Sequence, residues 1–469
     1  MKNHLGIFIL VMVITLLSAC KGPEGPAGPA GQGGPQGPTG NDALWENAIS
    51  TIKDNVYMIG IIPAGKQSVD YVGTGWAISA TQIITNAHVA YGIYDLCRTT
   101  TYNSTANRIV AVKNNTFTGQ AGTYDLINCS VHPGYNNFNP FSQDFAIFTT
   151  NTNLSGTLLV EADVNLLSLA IGQSVGTLGF PGELIGIGDT CQPIATFKQG
   201  TISALRPFNQ QTTAQSPATN CIIQYNFNTT DGTSGSPVFN SSGSIIGINN
   251  SGMSAIIKDY YGDLVRIGLG DLNFGIRIDK RTTITTMPYQ VDVSSFRNPD
   301  PLSTSTLSAG QVRIKFSWNS SYDFDLRVII GGTQCITAFT DESRANIYPF
   351  VVHHGDVTSY GSELATVCKL TDSVKVYVYK YSTGGSFSGS SVTCRIISST
   401  DTIASITNPP TGSSRYWTIG TLSPSGTFTQ INTLSNVDPL ENMINGTQQM
   451  LKEMNVMPMK TKFLKSVQH

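Results

Sequence analysis

Between Asp42 and Thr285 the chain is one short alternating apolar run after another, each closed by Gly, Asn or Ser. The runs include Val56–Ile62, Gly73–Ile78, Gln82–Thr85, Ile109–Val112, Phe145–Phe148, Ser174–Leu178, Cys221–Tyr225 and Ser244–Ile248. A period of two puts alternate side chains on opposite faces of an extended strand. Many short strands with turn residues between them build barrels or sandwiches. The stretch of about 240 residues has room for two packed six-stranded barrels. Composition agrees with an all-β fold. Charged residues are 12%, about half the usual share, and Ser, Thr, Asn and Gly replace them. With 40% apolar residues the chain is not a disordered one. A net charge of -2 gives no electrostatic case for nucleic acid.

The flanking segments read differently. Lys2 followed by the apolar run Leu5–Leu17 makes residues 1–19 a signal peptide, too short to span a bilayer comfortably. The segment ends in Leu17-Ser18-Ala19-Cys20, which resembles a bacterial lipobox. That resemblance implies lipidation at Cys20 and tethering to a bacterial membrane on its periplasmic or outer side, each buried methylene contributing about 0.8 kcal/mol. Residues 20–41 carry a Gly-X-Y repeat, Gly22 to Gly40. These triplets are too few for a self-sufficient triple helix, so an extended stalk of about 60 Å is expected, with a trimer seed as the alternative. Residues 286–301 read as a linker, and 302–436 as a β-sandwich with strands near Val312–Phe316, Leu326–Ile330, Val374–Tyr379 and Val392–Ile397. Asp323 and Asp325 could bind calcium, but two carboxylates are too few for a coordination shell, and a turn with exposed acids is the expected reading. Residues 437–469 read as a helical tail, capped by Asp438 and stopped by Pro458. Its apolar face would pack on a neighbouring domain or meet a membrane or partner. Of eight cysteines, Cys20 goes to the lipid; proximity pairs Cys97 with Cys129 and Cys191 with Cys221.

Chemistry concentrates in Asp231-Gly232-Thr233-Ser234-Gly235-Ser236-Pro237-Val238-Phe239-Asn240. A serine between glycines sits on a tight bend and can attack a carbonyl if a base takes its proton. His88 follows a strand, in Thr85-Asn86-Ala87-His88, and is the candidate base, with a hydrogen-bonded structural histidine as the other reading. Asp144 leads the apolar run Asp144-Phe145-Ala146-Ile147 and is preferred over Asp125 as the acid that orients it. Ser236 is the rival nucleophile, but it precedes Pro237.

Seven motifs then fall in one order: Gly73-Thr74-Gly75-Trp76, Thr85-Asn86-Ala87-His88, His132-Pro133-Gly134-Tyr135, Asp144-Phe145-Ala146-Ile147, Gly179-Phe180-Pro181-Gly182, Gln199-Gly200-Thr201-Ile202-Ser203 and Gly232-Thr233-Ser234-Gly235-Ser236-Pro237. Over roughly residues 50 to 285 this resembles the chymotrypsin-fold serine proteases of bacteria, the HtrA-like and glutamyl endopeptidase families. The resemblance implies a double β-barrel protease domain at 42–285, with Ser234 as nucleophile, His88 as general base and Asp144 as its orienter. Backbone N–H groups of Gly232 and Ser234 would form the oxyanion hole, one such donor supplying about 3 kcal/mol. Thr229 matches a threonine that glutamyl endopeptidases use for the substrate side chain, and Asn249, Asn250, Ser251 and Gly252 would complete the substrate pocket. Asn249 stands where those enzymes place a histidine, so an acidic P1 residue and a polar or small one both stay open. Thr233 replaces the acid that receives a freed N-terminus in trypsin-like zymogens, so activation of that type is not expected. The C-terminal region lacks the carboxylate-binding loop pattern of the PDZ modules of HtrA proteins.

Two functions are consistent with these residues. One is a membrane-anchored serine endopeptidase acting on proteins or peptides, with no cofactor and no metal. The other is a silent protease fold that serves binding or adhesion. The intact His-Asp-Ser set favours the enzyme.

Overall fold

A computed structural model describes residues 42–136, 141–155, 166–182, 192–208, 213–258, 264–281, 287, 289–332, 334–337, 343–439 and 456–458. The expected signal peptide, Cys20 and the Gly-X-Y stalk lie outside these residues, as does the tail at 440–455. No helix among the described residues is long and apolar enough to cross a membrane.

Strands β1 (Val56–Ile62), β2 (Asp70–Ser79), β3 (Gln82–Thr85), β4 (Arg108–Lys113), β5 (Thr123–Val131) and β6 (Ala146–Thr150) form the first barrel. Their order is β5-β4-β1-β2-β3-β6, and a β5–β6 pairing closes the ring. Strands β7 (Ser174–Gly179), β8 (Thr196–Arg206), β9 (Ile222–Tyr225), β10 (Pro237–Asn240), β11 (Ile245–Lys258) and β12 (Leu264–Arg277) form the second. There the order is β10-β7-β8-β9-β12-β11, closed by β10–β11. The expected pair of six-stranded barrels is therefore present.

Alternation has a definite consequence in β1, which is buried along its whole length. Tyr57, Ile59 and Ile61 join one hydrophobic core. Val56, Met58 and Ile62 join another, which also holds Val175, Val238 and Ile248 of the second barrel. One strand thus supplies both cores, and a one-residue slip in register would exchange all its side chains between them.

Two helices were not legible in the strand pattern: α1 (Asp42–Ile52) and α2 (Ala87–Cys97). The sequence of α2, Ala-His-Val-Ala-Tyr-Gly-Ile-Tyr-Asp-Leu-Cys, is apolar nearly all round, with eight of its residues buried, so it shows no polar face to mark the period. The expected Cys97–Cys129 bridge is corrected: both are free thiols buried in the first core, packed as small apolar groups. Cys191 lies outside the described residues.

The region read as a linker is bonded to the first barrel. Strand β13 (Val291–Asp292) pairs with β5 through Val291 and Cys129. The short 3-10 turn Val293–Arg297 follows, with Asp292 accepting the Ser294 N–H at its start and Val293 and Phe296 buried. Beyond it, β14 (Val312–Ser317), β17 (Val351–His353), β18 (Ser362–Val367), β20 (Thr393–Ser398) and β21 (Thr402–Ile406) make one sheet. Strands β15 (Phe324–Ile330), β16 (Gln334–Ile336), β19 (Val374–Lys380), β22 (Tyr416–Leu422) and β23 (Phe428–Ser435) make the other. In β14 buried and half-buried residues alternate strictly. Its Phe316 meets Trp417 of the facing sheet with ring centroids 6.2 Å apart. Of the tail, Val456–Pro458 is described; it is extended and pairs with β11.

The sandwich shares the core of the first barrel, and α2 is the element held between them. The Tyr91 hydroxyl donates to the Tyr348 carbonyl at 2.7 Å. Arg344 pairs with Asp95 at 3.0 Å and lies 4.9 Å from the Tyr91 ring centroid. Arg98 pairs with Asp300 at 2.6 Å.

His132, just after β5, accepts the Gly134 N–H at its Nδ1, 2.9 Å away, and burial pushes its pKa down from 6.5 to about 4. As pH falls below 6.5 the unfolded chain binds this proton first. The stability from the neutral ring, fully present at pH 7, is lost as pH falls towards 4. We expect His132→Gln to lose about 2 kcal/mol less unfolding free energy than the native chain between pH 7 and pH 4.5 in urea titrations. Equal losses would refute this.

Candidate active site

The pairing of β3 with β6 places the first two members of the site. Thr85, the last residue of β3, sits opposite Ala146, the first of β6. In an antiparallel pair the chain beyond Thr85 therefore runs alongside the chain before Ala146. That juxtaposes Asn86, Ala87 and His88 with Phe145 and Asp144. Asn86 fixes the arrangement by donating its amide to the Asp144 carbonyl at 2.8 Å.

Asp144 is 2% exposed, and both its oxygens are used. Oδ1 accepts the His88 backbone N–H at 3.0 Å. Oδ2 lies 2.6 Å from His88 Nδ1. The first contact caps a free N–H of the first turn of α2, where the helix dipole favours a negative charge. The second makes Nδ1 the donor and leaves the Nε2 lone pair free to accept a proton. Nε2 is buried and has no hydrogen-bond partner among the described residues. Asp125, the rival acid, is held elsewhere by Arg108, whose Nε lies 2.7 Å from its Oδ1.

Ser234 lies on the bend before β10, and the two barrels meet at its carbonyl. The Thr74 N–H of β2 donates to Ser234 O at 2.8 Å. The Thr74 hydroxyl donates to Gly232 O at 2.9 Å and accepts the Phe180 N–H at 3.1 Å. Thr85 closes the other side, its hydroxyl donating to Thr74 O at 2.7 Å. The bend needs two left-handed residues, Gly232 at φ 91° and Gly235 at φ 87°. At Gly235 a Cβ would stand 2.0 Å from Thr74 O, so a side chain there would separate the barrels. At Gly73 a Cβ would meet Val89 at 2.6 Å and Ser234 O at 3.3 Å, which places the residue after His88 and the serine against the same glycine.

The Ser234 hydroxyl donates to Asn250 O at 3.4 Å, a weak bond that a χ1 rotation releases. Ser236 is fully buried and donates to Thr233 O at 2.7 Å, so its hydroxyl closes the turn.

Beside Ser234 is a small, partly open cleft lined by Thr229, Thr230, Asp231, Thr233, Asn249, Asn250 and Gly252. Of the expected pocket residues Thr229, Asn249, Asn250 and Gly252 lie here, and the Ser251 side chain falls outside the described residues. Thr229 donates its hydroxyl proton to Asn273 Oδ1 at 2.8 Å. Asn249 donates its amide to Thr233 O at 2.8 Å and accepts from the Tyr225 hydroxyl. Its side chain therefore shapes the pocket wall, and both polar ends are occupied. The Thr230 hydroxyl is buried with no hydrogen-bond partner among the described residues. Exposed Asp231 puts a carboxylate at the rim. No metal-ligating group gathers at this cleft among the described residues; the cluster of ligand spacing is Asp323, Asp325 and Asp356 in the sandwich.

Residues 73–248 match the family model of the trypsin-like peptidase domain. Among solved structures, the active form of the Rv3671c protease from M. tuberculosis is 18% identical with a TM-score of 0.32, over 53% of this chain and 87% of that one. Deg5 is 19% identical with a TM-score of 0.33, over 54% of this chain and 96% of that one. No curated protein matches the chain significantly.

The Thr74 hydroxyl is the group whose removal should loosen the site without touching a reacting atom. Thr74→Val leaves the Gly232 carbonyl and the Phe180 N–H without this partner, a cost of about 1–3 kcal/mol. We expect turnover to fall with KM nearly unchanged, and Thr74→Ser to restore it. Native turnover in the valine variant would remove this role.

Proposed function

We propose that this chain, a serine endopeptidase with a trypsin-like domain of chymotrypsin fold, cleaves peptide bonds through Ser234, His88 and Asp144. The observation that carries the assignment is the 2.6 Å contact between Asp144 and His88 Nδ1, with Nε2 buried and unpartnered. In this reading Ser234 Oγ turns from Asn250 O to His88 Nε2, gives up its proton and attacks the substrate carbonyl carbon. The oxygen of the tetrahedral intermediate is held by the Gly232 and Ser234 N–H groups. The imidazolium, stabilised by Asp144, passes its proton to the leaving amine, and the acyl-enzyme is hydrolysed by the same base acting on water.

The cleft supports a small, polar, uncharged P1 residue. The Thr229 proton is committed to Asn273, so Thr229 meets a substrate as an acceptor. The Thr230 hydroxyl is available to donate or accept. The Asp231 carboxylate at the rim opposes a second negative charge. An acidic P1 residue, the alternative left by Thr229, is disfavoured on these grounds.

The lipobox-like Leu17-Ser18-Ala19-Cys20 supports a lipid anchor at Cys20, with the Gly-X-Y segment as spacer between the membrane and the peptidase. In this reading the enzyme works on proteins or peptides outside the cytoplasm.

A fluorophosphonate probe should label the native chain and not Ser234→Ala. Asp144→Asn should lower kcat by about 10⁴. Absence of labelling beside a reactive control protease would overturn the enzymatic reading, and retained labelling in Ser234→Ala would overturn Ser234 as nucleophile. Cys20→Ala should move the expressed protein from the detergent to the aqueous phase in Triton X-114 partitioning; an unchanged partition would overturn the anchor.

A further inference from the structure

The sandwich domain brings a third carboxylate to the two that the sequence placed at Asp323 and Asp325. Those two flank the start of β15, and a spacing of two puts both side chains on one face. Asp356 reaches them from the loop between β17 and β18. One oxygen from each of the three lies within 4.8 Å of the others. The expectation of exposed turn acids is corrected at Asp325, which is 1% exposed.

The burial of Asp325 is what gives the cluster meaning. Neither of its oxygens has a hydrogen-bond partner among the described residues, nor has Asp323 Oδ1. Arg327 Nη2 stands 3.5 Å from Asp325 Oδ2, but this guanidinium also pairs with Asp438 at 3.4 Å and lies 4.4 Å from the Tyr379 ring centroid. The cation beside Asp325 is therefore shared with Asp438. A buried carboxylate in that position needs further positive charge or oxygen-seeking ligation to be favourable.

Glu363 keeps the cluster assembled. It is fully enclosed, and its Oε2 accepts the Leu326 N–H at 2.6 Å while Oε1 accepts the Val357 N–H at 3.1 Å. Leu326 follows Asp325 and Val357 follows Asp356, so one side chain fixes the backbone beside two of the three acids. With both oxygens engaged, Glu363 is a brace rather than a ligand.

We propose that Asp323, Asp325 and Asp356 bind one calcium ion in the sandwich domain. Three carboxylates form a hard, all-oxygen donor set, which selects against metals that favour nitrogen or sulfur. Calcium–oxygen bonds of roughly 2.3–2.6 Å allow two ligands on opposite sides of an ion to stand about 5 Å apart, which accommodates the observed spread. Magnesium, at about 2.1 Å, demands near-octahedral order. Calcium also accepts the mixed set of one buried, one half-buried and one exposed carboxylate, with water or carbonyl oxygen filling the remaining positions. The site is separate from the Ser234 cleft, and the inference does not depend on the proposed catalytic roles.

The full chain, stripped with chelator, is titrated with calcium by calorimetry and with terbium by sensitised emission. Trp318 is the expected antenna, its ring 5.7 Å from that of Phe324, between the two acids. One ion per chain and a rise in Tm with calcium over chelator are expected. Asp356→Asn, at an exposed position, should bind at least tenfold more weakly with its fold intact. Asp325→Asn should raise Tm in chelator, by removing a buried charge, and abolish the calcium increment. No binding to the native chain at millimolar calcium, or unaltered binding in both variants, overturns the site. An equal Tm rise with magnesium overturns the assignment to calcium.

Discussion

Everything at the cleft depends on Thr74, a fully buried threonine of the first barrel whose polar groups face the second. Its N–H holds the Ser234 carbonyl, its hydroxyl holds the Gly232 carbonyl and the Phe180 N–H, and its own carbonyl receives the Thr85 hydroxyl. Buried polar groups are expensive unless paired, so this set is satisfied in one relative placement of the barrels and costly in others. The histidine and the acid come from the first barrel and the serine from the second. Hydrogen bonding across the seam therefore brings residues of the two barrels into one site. It also explains the demand for glycine at 235, where any side chain would stand against Thr74 O.

The sandwich belongs to this scaffold. Helix α2 begins with the His88 turn, capped by Asp144, and its outward side is held by Tyr348, Arg344 and Asp300. Tyr91 and Tyr94 of the helix share one apolar core with Ile347 and Tyr348 of the sandwich. A domain that the sequence presents as an appendage thus backs the element carrying His88.

Much of the fold was legible because β alternation is a local signal. The strands at Val56–Ile62, Gln82–Thr85 and Val312–Ser317 lie almost where the period places them. The order of motifs brought His88, Asp144 and Ser234 to attention before any coordinates. The misses have physical causes. Helix α2 is buried nearly all round and has no polar stripe to reveal its period. The Cys97–Cys129 pair was suggested by closeness in sequence, yet each thiol packs into the core as a free group. The segment before the sandwich looked unpatterned because its order comes from contacts with β5, not from its own repeat.

The sequence by itself determined which stretches are strands, that a serine stands on a glycine bend, and that a histidine and an acid lie at strand ends. These depend on neighbours one to four residues apart, and such spacing is written in the chain. Tertiary structure decided which acid meets the histidine, because that follows from Thr85 pairing with Ala146 across sixty residues of chain. It decided that the Thr229 hydroxyl donates to Asn273. It also decided that Asp356 joins Asp323 and Asp325. In each case the partner lies far away in sequence, and only packing and register bring it within the few ångströms over which hydrogen bonds and charges act.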